Sequence, residues 1–322
     1  MKHLLELEFK EHDFDLSWIL YFIAERQSIL RKKQAGMPKF EWTDDPIFAE
    51  YRFCNVDRED DRVTAWLREN IRIPYADHPD LWLMLALSRW INWPPMIAEL
   101  VESEYWFGKP NFSLQGMADV MLARHSRGEK VYTASYMINT EGDKSSPYRN
   151  KTKHEFVCCK VVGQLLADRV RIESELNKPG FTLEQACSLF TEYANWGGFM
   201  AYELVTDLNH TRYLKDAPDR YLWSNQGIGA NRGMNRLKGE TKLEKFNTQE
   251  TWNNHCVEVL NAVHKAYDEG LIPNHLIDKH QIDARCIESA HCEIDKYLRV
   301  KTGEGKPRSK YKSHSKYYSV KI

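Results

Sequence analysis

Nothing in this sequence is long and apolar enough to cross a bilayer: apolar runs such as residues 81–87 stop well short of the roughly 20 residues a span requires. The first residues, MKHLLELEFKEHDFD, lack the positive start, apolar middle and small-residue cleavage site of an export signal, so a cytoplasmic protein is expected. There is no excess of either charge, since 45 Lys and Arg face 46 Asp and Glu. The seven cysteines are scattered and form no C-x-x-C pair, which excludes a zinc ribbon and a thioredoxin-like redox centre and leaves buried thiols of a reducing compartment. Also missing are a Ser-His-Asp order, H-E-x-x-H, a Walker A loop and the zinc-deaminase pattern. The histidines show no metal-ligand spacing.

What is present is aromatic and helical. Ten Trp, 16 Tyr and 13 Phe in 322 residues supply ample burial and argue against disorder. Phe14, Trp18, Tyr21, Phe22, Glu25 and Ile29 follow helical spacing, with Asp13 or Asp15 as a cap and Gly36-Met37-Pro38 as a stop. Helices are further predicted over residues 62–70, 81–93, 96–104, 114–125, 152–176, 248–269 and 281–298, with another starting at Thr182. Only residues 130–139 are a strand candidate. The fold class is therefore mainly α, with at most a small β element. Residues 1–298 are read as a single helical catalytic domain, or two packed helical lobes, and residues 299–322 as a basic tail. That tail carries eight Lys or Arg, among them Arg308, Lys310 and Lys312, against Glu304 alone, with three tyrosines interleaved. This is either the footprint of a nucleic-acid arm or a solubilising terminus.

Three clusters could carry chemistry. The first, residues 51–64, packs Arg52, Arg58, Arg62 and four acids into eleven positions. With a helix start near Asp57, Arg58, Asp61 and Arg62 would share one face, where a carboxylate can aim a guanidinium at a phosphate. A solvated helix start laced with ion pairs is the alternative. In the second, a helix ends near Asn195, Gly197 and Gly198 turn the chain, and a new helix opens at Phe199, so that its amides could hold a strand phosphate. Any two helices can be joined that way as well. In the third, Gln226 to Gly233 holds Gly227, Gly229 and Gly233, with Arg232 and Arg236 one helical turn apart, as a cradle for pyrophosphate or merely a turn. Candidate acids are Glu203 and Asp207, at i and i+4, and Asp216 and Asp219, which flank Pro218; for each of them a capping or surface role competes.

Several segments, in order, resemble a known family. They are Phe40 to Pro46, Phe53 to Thr64, Gly198 to Glu203 continuing to Asp207-Leu208, Gly227 to Gly233, and Cys292 to Tyr297. Together they resemble the α-glutamyl/putrescinyl thymine pyrophosphorylases, the amino acid:DNA transferases of bacteriophage DNA hypermodification, from about Phe22 to Tyr311. The resemblance implies that a linked kinase activates 5-hydroxymethyluracil in phage DNA to a pyrophosphorylated form. An amino acid or polyamine then displaces pyrophosphate at the 5-methylene carbon, inside the infected host. The helix–turn–helix is similar to the helix-hairpin-helix of α-helical DNA glycosylases, which flip a base and carry a catalytic Asp about twenty residues on. That makes Asp219 the first choice of base, Asp207 the second, and Glu203 a further acid. The pyrophosphate would meet Arg58, Arg62, Arg232, Arg236, Gly227 and Gly229. DNA would meet Gly197, Gly198, Arg308, Lys310 and Lys312, with Trp196, Trp223 or Tyr202 stacking on the base. The usual Gly-x-Gly hairpin is here Trp196-Gly197-Gly198, a bulky residue where the first glycine would fall. No cofactor is called for beyond Mg²⁺ accompanying the pyrophosphate, and no resident metal is expected. A glycosylase acting on a modified base and a non-catalytic DNA-binding protein remain as alternatives.

Overall fold

The structure is a computed structural model that describes residues 16–133, 138, 151–305, 307, 310 and 311. Those residues are mainly helical and contain no strand, only an isolated bridge between Tyr51 and Lys310. Half of the expected strand falls on residues outside the described set, and residues 130–133 do not form one. The chain divides into two units, one of residues 1–60 with 221–322 and one of residues 61–220.

The first unit is built from the helices Ser17–Gln34, Ile228–Leu237, Gln249–Asp268 and Ala284–Lys301. Their ends follow local chemistry. Gly36, at φ +74°, lets the chain leave the first helix before Pro38. The Thr248 hydroxyl accepts from the Thr251 amide, and the Asp283 carboxylate from the Cys286 amide, satisfying orphan donors of the first turn. Phe22, Phe48, Phe53 and Tyr297 pack with ring centroids 5.0–6.2 Å apart. Burial of each such ring contributes about 1.5–3 kcal/mol. Asp45 organises the polar edge of that cluster: one of its oxygens accepts from both the Tyr21 and Tyr297 hydroxyls at 2.7 Å, and the other caps the Pro46–Glu50 helix. The last helix runs to Lys301, three residues past the boundary expected at 298, so Arg299 and Lys301 belong to it and not to a tail.

The second unit centres on the Leu81–Ile91 helix, every residue of which is buried. A helix that is apolar on all sides belongs inside a protein, and its one arginine must find a partner there. Around it lie the Gly198–Leu208 helix and a segment in which π-type turns interrupt the helix predicted over 152–176. That segment reads Lys153–Glu155, capped reciprocally by Thr152, then a π-turn over Phe156–Val162, then Gly163–Ala167. It breaks at Asp168 before Arg169–Leu176. A second π-turn, Arg68–Arg72, ends the short Arg62–Leu67 helix.

Candidate phosphate site

The Ile228–Leu237 and Ala284–Lys301 helices approach so closely that the glycines between them are a packing seam. A methyl group added to Gly233 would lie 2.1 Å from the His291 carbonyl oxygen, and one added to Gly229 would lie 2.4 Å from Cys292 Sγ. This corrects the expected phosphate cradle: Gly227 caps the helix, Gly229 lies within it, and the Glu288 carboxylate stands beside Gly227.

The same close approach assembles a cluster one turn further on. Arg232 Nε and Arg236 Nε reach Asp295 at 3.4 and 3.1 Å, and Arg299 Nε meets the same carboxylate at 3.3 Å. Asp295 is buried. Arg232 and Arg236 donate their Nε–H to it, which leaves their terminal nitrogens for other partners, while Arg299 is held by charge, as an ion pair. Arg236 uses both of these on Glu304, each at 2.8 Å, and Arg232 binds Glu244. These outer acids are exposed, with side chains 45% and 75% accessible. The Arg236 hydrogen bonds hold the Glu304 carboxyl down at about 2. Three rigid forks on one buried anchor, closed by two loose carboxylates, form an arrangement able to take an anion with several oxygens.

Beneath the seam, the His255 and His291 Nε2 atoms lie 2.7 Å apart, while His291 Nδ1 donates to the Ile287 carbonyl. With its Nδ1 donating, His291 is left to accept at Nε2, so His255 carries the bridging proton. Burial pushes His291 down to about 4 and His255 well below its usual range.

The other predicted residues are dispersed. Arg58 stands in a single turn, Arg58–Asp60, of the first unit. Asp61 is extended (φ −73°, ψ 134°), and Arg62, exposed, opens a separate helix in the second unit. The break at Asp61 overturns the single helical face expected for Arg58, Asp61 and Arg62. Asp207 is fully buried: its Oδ1 lies 2.7 Å from Arg89 Nη2 and its Oδ2 accepts from Arg89 Nε. Glu203 Oε2 is 3.9 Å from the same guanidinium, and Thr64 accepts from it at 3.1 Å. This network stands where a base was expected, and it holds the buried arginine of the Leu81–Ile91 helix.

Asp219 accepts the Leu183 amide on one oxygen at 2.8 Å and the Glu184 amide on the other at 3.0 Å. It thus holds two amides of the first turn of the Leu183–Thr191 helix, the first of the hairpin. The Gly197 turn exists, preceded by Asn195 at φ +69°, and a methyl group on Gly197 would meet nothing within 4 Å. Gly198 opens the second helix of the hairpin. Trp196, however, is fully buried, donates to the Val161 carbonyl at 2.9 Å and packs edge-on against Trp90. Tyr202 and Trp223 are buried as well. None of the three is the exposed stacking ring that was expected; Phe199, 58% accessible, is the aromatic that the hairpin turns outward. Lys310 is bound to Glu50, while Arg308 and Lys312 lie outside the described residues.

Among the described residues no three His, Cys, Asp or Glu side chains gather as metal ligands, and no helix is long and apolar enough to cross a membrane. No solved structure matches the chain. Among curated proteins it is similar to a 5-hmdU DNA kinase of Bacillus phage SP10, 26% identical over 294 residues. That stretch covers 87% of this chain and 45% of the relative, so the chain spans less than half the relative's length. The family described as "5-hmdU DNA kinase, helical domain" matches residues 14–307. The resemblance drawn from sequence led to proteins of 5-hydroxymethyluracil DNA, and the match is to the helical part of a kinase in place of a transferase. The chain belongs to the family of 5-hmdU DNA kinase helical domains.

Proposed function

We propose that this chain acts on 5-hydroxymethyluracil in phage DNA, inside the infected bacterium, after that base has been phosphorylated. In this reading Arg232, Arg236 and Arg299 hold the phosphate or pyrophosphate borne on the 5-hydroxymethyl oxygen, and an amine displaces it. The observation that carries the reading is the anchoring of three guanidiniums on buried Asp295 in a member of this family. The carbon–oxygen bond at the 5-methylene breaks with its electron pair going to pyrophosphate, and a bond from the amine nitrogen to that carbon forms. The amine's proton leaves with the pyrophosphate or to water. Cations fixed where that charge develops lower the barrier without reorganising. Arg299 takes the place that sequence reasoning gave to Arg58 and Arg62. Mg²⁺ would travel with the pyrophosphate, and the donor would be an amino acid or a polyamine.

The names of the family and of the relative favour a second reading, in which the chain presents hydroxymethyluracil DNA for phosphorylation. No Walker A sequence occurs in the 322 residues, so in this reading a phosphate donor of that type would be held outside them. One experiment tests both. DNA bearing pyrophosphorylated 5-hydroxymethyluracil is incubated with the protein, amino acids and putrescine, then digested for mass analysis; a second arm supplies unmodified 5-hydroxymethyluracil DNA and ATP. A new aminomethyl-linked nucleoside with released pyrophosphate supports transfer. A phosphorylated nucleoside in the second arm alone replaces transfer with the kinase reading, and an abasic site refutes both.

A further inference from the structure

Away from the arginine cluster, the first unit gathers cations around one aromatic ring. Tyr311 is placed by backbone contacts: its amide donates to the Glu50 carbonyl at 2.9 Å, beside the bridge between Tyr51 and Lys310. Lys33 Nζ, Lys39 Nζ and Arg52 Cζ lie 4.7, 5.0 and 5.4 Å from the Tyr311 ring centroid. Lys33 also stands 4.4 Å from the Trp42 ring and donates to the Tyr311 hydroxyl. Burial, followed by the like charges of Arg26, Arg52 and Lys39, lowers the Lys33 ammonium to about 8. Among the described residues no carboxylate pairs with Lys33, Lys39 or Arg52; the nearby Glu50 is bound to Lys310. The Arg232 cluster, by contrast, neutralises every arginine in it. Cations left in mutual repulsion are relieved by an anion, and next to Lys39 stands Phe40, 81% accessible, a large aromatic with no core to fill. From Tyr311 the sequence continues with Lys312, Lys316 and Lys321 among tyrosines.

We propose that Lys33, Lys39 and Arg52, gathered round Tyr311, form a DNA-strand contact that takes backbone phosphates, with Phe40 as a ring on which a base stacks. A basic surface with interleaved aromatics is the usual composition of single-strand contacts. The choice of DNA as the occupant rests on the function proposed above. The contact lies outside both the hairpin and the arginine cluster, so it would hold the strand while another site works on the base.

The test is fluorescence anisotropy of a labelled single-stranded oligodeoxynucleotide across a salt series. Each phosphate contact contributes about 0.7 to the slope of log affinity against log salt. The double variant Lys39→Ala/Arg52→Ala should therefore flatten the slope by about 1.4, while Lys39→Arg/Arg52→Lys keeps it. Phe40→Ala should weaken binding by at least about fivefold with the slope unchanged. The control Lys178→Ala/Lys215→Ala removes two exposed charges of the second unit and should leave the slope as it was. If the wild type binds and the Lys39/Arg52 variant keeps its slope, or the control flattens it as much, the contact is refuted and the DNA reading stands. If the wild type binds no DNA at low salt, both fall.

Discussion

Asp295→Asn tests whether the arginine cluster is organised as described. The substitution keeps the size of the side chain and removes the charge that accepts from Arg232 Nε and Arg236 Nε at 3.4 and 3.1 Å and pairs with Arg299 at 3.3 Å. A charge-assisted hydrogen bond contributes about 1.5–3 kcal/mol, and removing one partner of a buried pair costs about 3–5 kcal/mol. The three contacts do not add, because they share one acceptor. Arg232 and Arg236 keep an outer carboxylate each, and the Arg299 side chain is 37% accessible, so water takes up part of the loss. An asparagine oxygen still accepts one bond while its amide confronts a cation. Together these place the cost at about 2–4 kcal/mol. With a urea dependence of about 2 kcal/mol per molar, the unfolding midpoint of the first unit should fall by about 1–2 M. Because the chain divides into two units, the signal must be one that reports the first, such as amide exchange in the Ile228–Leu237 helix. A loss below about 1 kcal/mol, typical of an exposed pair, would mean that Asp295 does not hold the three guanidiniums, and the phosphate site would lose its basis.

Three further outcomes follow from neighbouring geometry. Gly233→Ala should destabilise by about 2 kcal/mol or more because its methyl meets the backbone of His291, whereas Gly229→Ala meets the movable Cys292 side chain and should cost clearly less; equal losses in urea melts would refute the seam. Because His255 and His291 are held below their unfolded value near 6.5, the unfolded chain binds more protons in acid; the stability they contribute is full above pH 6.5 and is lost as pH falls toward 4, by up to about 1.4 kcal/mol per unit for each ring. His291→Gln should shallow that pH slope, and an unchanged slope would show that the pair does not titrate in this way. Asp219→Asn should cost about 0.5–2 kcal/mol as a lost cap, with pyrophosphate affinity unchanged in calorimetry; loss of that affinity with full stability would restore Asp219 to a functional site.

Helix ends were legible because their causes lie within a few residues. Thr182 and Thr248 cap their own first turns, and Gly36 stops the helix just before it. The arginine cluster was half legible: Arg232 and Arg236 were singled out from their spacing, but their anchor lies 63 and 59 positions away along the chain. Arg299 had a local signal, since it follows Asp295 by four residues and so shares its helix face, but a basic stretch drew it into the tail. Gly229 and Gly233 are also four apart, the spacing of a helix face worn flat for a neighbour, and reading them as a loop mistook closeness between helices for room for a phosphate. Asp219 could not be placed from sequence because the helix it caps begins 36 residues earlier. Trp196 looked like a stacking ring because it borders glycines, although a large ring beside a tight turn is as well suited to bracing the turn from within, where it lies.

The outer acids decide how the cluster could work. Asp295 is buried and serves all three arginines, so exchanging it would strand three charges. Glu304 has a single arginine fork, its carboxylate is exposed, and it is followed directly by Gly305. Its geometry on Arg236, two parallel bonds of 2.8 Å, is one that two phosphate oxygens can reproduce. Arg236 holds the Glu304 carboxyl at about 2, so it stays charged at any working pH, and only a competing anion or a substitution can open the fork. Glu304→Gln removes that competitor and leaves Asp295 in place. Inorganic pyrophosphate should then bind about two- to fivefold more tightly in calorimetry, the gain expected when a binding-competent state no longer shares its population with an occupied one. The gain should shrink as salt is raised, because an exposed guanidinium is screened. If affinity is unchanged or weaker, Glu304 is a structural partner of Arg236 and not a stand-in for the anion, and the site would have to be sought elsewhere in the fold.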